Sequence, residues 1–374
     1  MMSLLAALLS LSLQQPAPPD SIKARLYVQG ELTWYGIGPA TDLSNRLVRI
    51  AAIRRLGFGG TRLPVEWVWV EPVRGQRNWA RLDSTVAELR QAGLTAYGVL
   101  AYSPRWAVPT NVTHSPHFAA HRPVVDGSSA KGDTTFAGFA AAAARRYRGF
   151  IDRWEIWNEE NHPAFWLNAL DGFNRGADVQ DYAHLFTLTR DSIRTANPDA
   201  KVAVGGLASL NGVPFTWHDP LDSTRVLSAP TAQVYVRALV SKSVSFDAIG
   251  LHPYTTVPPG TRAFGRRVVF PDLVVDSVLS MLDELKLRGV DVWVTEWGVN
   301  APFATSQTML DAWFRDGLSA LLCSKRIALV TVHTLMDVNP HEHYGLLGID
   351  GSETTDGMAF RRALVDWNGC RSPR

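Results

Sequence analysis

After residue 25 the chain alternates short apolar runs, rich in β-branched and aromatic residues, with longer stretches whose apolar positions recur every three or four residues. Eight runs read as strands: 31–37, 58–65, 94–102, 151–158, 201–207, 246–253, 290–297 and 327–335. Helical patterns lie between them at 80–92, 134–148, 179–196, 231–241, 272–288 and 306–324, as in the stripe Leu82, Val86, Leu89. Gly93 and Gly289 fit helix C-terminal stops. Strand, crossover and strand again, eight times in order, predicts a parallel sheet closed on itself: one (β/α)₈ barrel spanning residues 26–374. An open doubly wound sheet would carry a glycine-rich phosphate loop after its first strand, and none follows residue 37.

Composition agrees with a large folded core and excludes some partners. The 374 residues are 46% hydrophobic and 19% charged, with 37 basic against 35 acidic side chains. No dense Lys/Arg stretch points to nucleic acid or an anionic membrane. The opening MMSLLAALLSLSL is too short for a membrane span. With the Pro-rich QPAPPD behind it, the run resembles the apolar part of a secretory signal without the usual basic residues in front. Residues 1–25 are therefore expected to be a signal sequence or a disordered tail, and the protein to be secreted or extracytoplasmic. Cys323 and Cys370 form no Cys-x-x-Cys pair. They lie near the ends of the last two helices, where either two separate thiols or a bond closing a 47-residue loop is open.

The connections after strands are long at 103–133, 159–178, 208–230 and 253–271, and rich in Pro, Gly, His and aromatic residues. In a barrel these loops line the C-terminal mouth, where active sites sit. Two strand ends there present carboxylates in aromatic, polar settings: WEIWNEEN at 154–161 and VWVTEWGVN at 292–300. Cleaving a glycosidic bond needs two such groups, one protonating the departing oxygen and one attacking or activating water. The fourth and seventh strands end on opposite sides of the mouth, which suits Glu159 and Glu296. Thirteen Trp residues add flat amphipathic rings able to stack on sugars or to fill a core.

The stretch Trp157-Asn158-Glu159 resembles the Asn-Glu signature of the clan A glycoside hydrolases, and Thr295-Glu296-Trp297 resembles their nucleophile strand. The phrasing is most similar to glycoside hydrolase family 39, with family 5 next. Further matches are Gly60-Thr61-Arg62, Trp67 with Val70-Glu71-Pro72, Tyr102-Ser103-Pro104 with Trp106, and His252-Pro253-Tyr254. The resemblance implies a retaining hydrolase of β-linked oligosaccharides, polysaccharides or glycosides, with Glu159 as acid/base and Glu296 as nucleophile. It implies that Asn158 holds the sugar 2-hydroxyl, that Arg62 and Tyr254 keep the nucleophile ionised, and that His252 lines the sugar subsite. Trp297, Trp106 and Trp67 become candidates for sugar stacking.

Two positions depart from the clan pattern. Glu160 follows the acid/base where Pro or a small residue is usual; strand alternation puts Glu155, Trp157 and Glu159 on one face and Glu160 on the other. Val332-His333 stands where an aromatic floor is usual, so His333 becomes a substrate-binding candidate. His341-Glu342-His343 offers a His-x-His without an evident third ligand, and the mechanism needs neither metal nor cofactor. The rival readings are a barrel that binds carbohydrate without cleaving it, and a metal-dependent hydrolase, which would show His and Asp at its strand ends.

Overall fold

The computed structural model describes residues 20–33, 43–110, 118–120, 122–124, 134–166, 179–208, 215–219, 222–254, 271–299, 304, 306–337, 343–348, 350–367 and 369–370. Eight parallel strands close a barrel: β1 (Leu26–Gln29), β2 (Gly60–Glu66), β3 (Thr95–Ala101), β4 (Arg153–Asn158), β5 (Lys201–Ala208), β8 (Ala248–His252), β9 (Asp291–Trp297) and β10 (Ile327–Val332). A separate antiparallel hairpin, β6 (Phe215–Asp219) with β7 (Asp222–Ala229), sits inside the long connection that follows β5. The helices are α1 (Asp20–Lys23), α2 (Leu43–Arg55), α3 (Trp67–Val70), α4 (Ala80–Gln91), α5 (Phe136–Arg146), α6 (Val179–Ala196), α7 (Ala232–Ser241), α8 (Pro271–Glu284), α9 (Gln307–Cys323) and α10 (Thr355–Val365).

Seven of the eight expected strands fall where the apolar runs put them. The first does not: β1 is Leu26–Gln29, whereas Leu32 and Thr33 already form a turn and 34–37 lie outside the described residues. Leu26, Tyr27 and Val28 pair with Val330, Thr331 and Val332 of β10, and that closure fixes the strand's place. The run LYV is too short to outweigh the longer ELTWYGI in a local reading. The helix stops differ once. Gly93 adopts a left-handed φ of 67° after α4, but behind α8 it is Lys286 that does so (φ 60°), and Gly289 lies beyond. Side-chain caps encode four helix starts: Thr135, Thr231, Ser306 and Thr354 accept from the backbone N–H three residues on. Each such cap stabilises its helix by about 1 kcal/mol.

The core has two layers. Outward-facing strand residues and the helices bury a ring of Leu, Val, Ile and aromatic side chains, among them Trp154, Trp157 and Trp297. Inside the barrel, Tyr27, Tyr97, Val99, Trp293 and Leu329 fill the lower part, and Tyr97 bonds Thr331 Oγ1 at 2.8 Å. Fully burying one such apolar side chain stabilises by roughly 1.5–3 kcal/mol. Below, Arg25 donates to the carbonyls of Leu322, Ser324 and Ile327, tying the residue before β1 to the end of α9. Cys323 and Cys370 are disulfide-bonded there, with Cα atoms 5.3 Å apart, so of the two open alternatives the structure takes the bond.

Candidate active site

The upper half of the barrel interior is charged where the lower half is aromatic. Glu155, completely buried on β4, accepts from Arg62 Nε at 3.2 Å and Nη2 at 3.3 Å. Arg62, on β2, also donates to Gln29 Oε1 (3.3 Å), Asn158 Oδ1 (2.8 Å) and Glu296 Oε1, so every guanidinium N–H is engaged. Burial opposes its charge, but Glu155 and Glu296 hold the guanidinium well above its ordinary pKa. The other oxygen of Glu296 accepts from Tyr254 Oη at 2.6 Å. Burial alone would raise the Glu296 carboxyl. His252, Arg62, His333 and the Tyr254 hydrogen bond outweigh it and bring the pKa down to about 2.

Glu159 occupies a different setting. Its Oε1 lies 2.9 Å from Nδ1 of His252, a nitrogen that is also 3.5 Å from Glu296 Oε2. His252 is buried, which works against its charge; Glu296 and Glu159 nevertheless raise its pKa above the ordinary value. One ligand atom from each of Glu159, His252 and Glu296 lies within 4.8 Å of the others, so two carboxyl oxygens of the pair are no farther apart than that. Such a trio can contact a cation. The Glu296 oxygens, however, already accept from Arg62 and Tyr254, and the adjacent guanidinium repels a second positive charge. His341 and Glu342 lie outside the described residues, and His343 is exposed.

The backbone at the end of β4 explains which of two adjacent carboxyls reaches the mouth, and it corrects the alternation argument. Glu155 points into the barrel, but Trp157 points out: its ring packs on Phe136 and Trp166, and its Nε1 donates to Phe165 O. Trp157 and Glu159 both take left-handed φ values, 74° and 50°, which break the pleat and turn Asn158 and Glu159 together toward the cavity. Glu160 goes behind the sheet, completely buried beside Tyr182 and Gly205, where desolvation holds it well above the carboxylate range. Two glycines make room. A Cβ on Gly205 would strike Glu160, and one on Gly206 would strike the His252 ring.

Gln29, Glu31, Arg62, Pro64, Glu66, Tyr102, Asn158, Glu159, Phe165, Glu296, His333 and Thr334 are among the residues lining one cavity of about 290 Å³. That is near the lower end of small-molecule pockets, room for about one sugar ring. No protein-family model matches the sequence. No curated protein matches it by sequence either. Solved structures do match in shape. A family 39 glycoside hydrolase from the gut symbiont Bacteroides cellulosilyticus superposes with a TM-score of 0.64 at 18% identity, over 93% of this chain and 64% of that one. A monomeric beta-xylosidase from Caulobacter crescentus gives 0.61 at 14%, over 93% and 69%. Xylanase 10B from Thermotoga maritima gives 0.58 at 12%, over 92% and 96%. The shared feature is the (β/α)₈ barrel fold. The chain spans less than two thirds of the length of the Bacteroides enzyme.

Of the residues singled out in the sequence, the fold brings together Arg62, Asn158, Glu159, His252, Tyr254, Glu296 and His333, and leaves the tryptophans elsewhere. Trp67 and Trp297 are completely buried and offer no ring face: Trp67 packs on Phe136 and Phe139, and Trp297 on Phe314 and Gly317 of α9. Their strand-end neighbours are polar, but the rings point outward into the helix layer. Trp106 is partly buried edge-on against Trp67, donates to Glu71 O at 2.8 Å, and does not line the cavity. Trp69, by contrast, is 42% exposed, and its indole N–H bonds the Glu66 carboxyl. Glu31, Glu66 and Gln29 escaped sequence reading. Glu31 and Gln29 hang on a strand that local pattern misplaced. Glu66 sits in an apolar run, LPVEWVWV, where a polar strand end was the available signal.

Proposed function

We propose that the chain is a retaining glycosidase acting on a β-linked glycoside, with Glu296 as nucleophile and Glu159 as acid/base. The observation that carries this is the unequal setting of two carboxyls whose oxygens approach within 4.8 Å. Retaining sites hold their carboxyl groups about 5–5.5 Å apart, and inverting ones hold them 6.5–9.5 Å apart to admit a water. Glu296, fixed by Arg62 and Tyr254 and ionised down to about pH 2, is suited to attack. Glu159, with no guanidinium partner among the described residues and held by a histidine, is suited to give and take a proton.

In the first step Glu296 attacks the anomeric carbon as the glycosidic bond breaks, and the Glu159 proton goes to the departing oxygen. An ester to Glu296 results. In the second step Glu159 takes a proton from water, the water oxygen attacks the same carbon, and Glu296 leaves as carboxylate. Asn158, held by Arg62, is positioned to bond the 2-hydroxyl, a contact that strengthens in the transition state. The glycoside hydrolase neighbours support the substrate class, and the disulfide at the barrel's lower end supports export to an oxidising compartment. Labelling with an activated 2-fluoro glycoside tests the assignment: the expected adduct maps to the peptide of Glu296. An inverted first product by NMR would overturn it.

A further inference from the structure

The wall built by the first two strands carries two carboxyls that double displacement leaves unused. Glu31 follows β1 with a left-handed φ of 51°, and Glu66 ends β2; both line the cavity that holds Glu159 and Glu296. Glu31 accepts from Gln29 Nε2 at 2.5 Å. Glu66 accepts from the side chain of Trp69, an exposed residue one turn beyond it. Four carboxyls thus face one small space. Against them the described lining offers Arg62, whose donors are all committed, and His333, which lies 3.2 Å from Gln29. Burial, and then Glu31, already pushes Glu66 up to about 7, while burial raises Glu31 as well. The wall resists one more negative charge, since like charges in a poorly solvated space repel strongly. Its carboxyl oxygens are acceptors to spare for hydroxyl donors.

We infer that Glu31 and Glu66 select a neutral sugar ring by accepting from its hydroxyls and reject uronic acids, and that Trp69 gives the next part of the substrate a stacking face. This rests on the glycosidase reading above and names its substrate class. Three sites act on different terms. The two carboxyls set charge selectivity, and the ring sets affinity for groups beyond the first sugar.

The test uses the full chain and 4-nitrophenyl β-glycosides in matched pairs: gluco, galacto and xylo against glucurono and galacturono. Wild type is expected to favour a neutral member over every uronide by at least about a hundredfold in kcat/KM. Glu66→Gln is expected to lower that ratio by about tenfold or more, chiefly through KM, and Glu31→Gln likewise; Glu66→Asp should restore part of it. Trp69→Ala should raise KM for disaccharide glycosides by roughly two- to tenfold. A preference for a uronide, or an unchanged ratio in both carboxamide variants, would overturn the inference. The same panel is scored for binding to Glu159→Gln protein by saturation-transfer NMR. Neutral sugars bound but none cleaved by wild type would sink the glycosidase reading and leave this one standing; no neutral sugar bound would sink this one.

Discussion

The two ends of the barrel interior are built on opposite physical terms. The lower end packs Tyr27, Tyr97 and Trp293 without charge and is fastened by Arg25 and the Cys323–Cys370 bond. The upper end buries Arg62, Glu155 and Glu296 in one network and opens on Glu31, Glu66 and Glu159. Backbone strain follows the same division. Of the non-glycine residues with left-handed φ among the described ones, Glu31, Tyr102, Trp157 and Glu159 all stand at C-terminal strand ends, while Ser243 and Lys286 follow helices. Such conformations cost of order 1–3 kcal/mol each and persist where surrounding structure overdetermines them. The lower end supplies stability; the upper end spends some of it on placing charge.

Breaking the upper end at its centre should have the largest effect. Glu296→Ala is expected to lower kcat by at least about 10⁴-fold, with azide restoring turnover as a glycosyl azide of inverted configuration. Retained configuration in that azide product would move the nucleophile elsewhere. Next is Glu159→Gln, expected to slow poor leaving groups by roughly 10²–10⁴-fold and activated aryl glycosides less. Glu160→Gln, behind the sheet, should leave turnover near wild type; if it is the crippling change, the break in the pleat at Trp157 has been misassigned.

The lower end should respond in stability alone. Cys323→Ser with Cys370→Ser opens a 47-residue loop and is expected to cost about 3–4 kcal/mol in urea unfolding, with kcat and KM unchanged. A change in KM would mean the two ends are coupled. Smaller still is Tyr254→Phe, which removes one of the contacts keeping Glu296 near pKa 2. Loss of that donor raises the nucleophile's pKa, so kcat/KM should fall at acid pH first, by up to about tenfold, through an acidic limb shifted upward.

Stability against pH sharpens the comparison further. Glu296 is depressed in the folded state, so its contribution is present above about pH 4.5 and is lost as pH falls toward 2. Glu66 is raised, so its contribution is full below about 4.5 and is lost as pH rises through about 7. Glu66 is partly exposed, and solvent screening holds its share to about 1–2 kcal/mol. Urea stability should therefore decline from pH 5 to 8, less so in Glu66→Gln. An identical decline in that variant would assign the effect to other groups.

What the sequence determined by itself was the periodic and the local. Alternation of apolar runs with three-to-four spacing specifies a closed eight-stranded barrel, and polar carboxyls ending the fourth and seventh strands mark the mouth at Glu159 and Glu296. Caps such as Thr135 and Ser306 are likewise local chemistry. Tertiary structure decided whatever depends on distant partners. β1 is Leu26–Gln29 because β10 and β2 hold it there, and that shift is what brings Gln29 and Glu31 to the cavity. Trp157 points outward because left-handed φ values break an alternation that a sequence pattern assumes unbroken. Trp67 and Trp297 stay buried while Trp69 is exposed, since a ring's surroundings are set by the helices packed over it. The cysteines pair because α9 and the segment after α10 end side by side. Periodicity measures one residue against its neighbours in the chain; burial, charge and pairing are fixed by residues brought close only when the barrel closes.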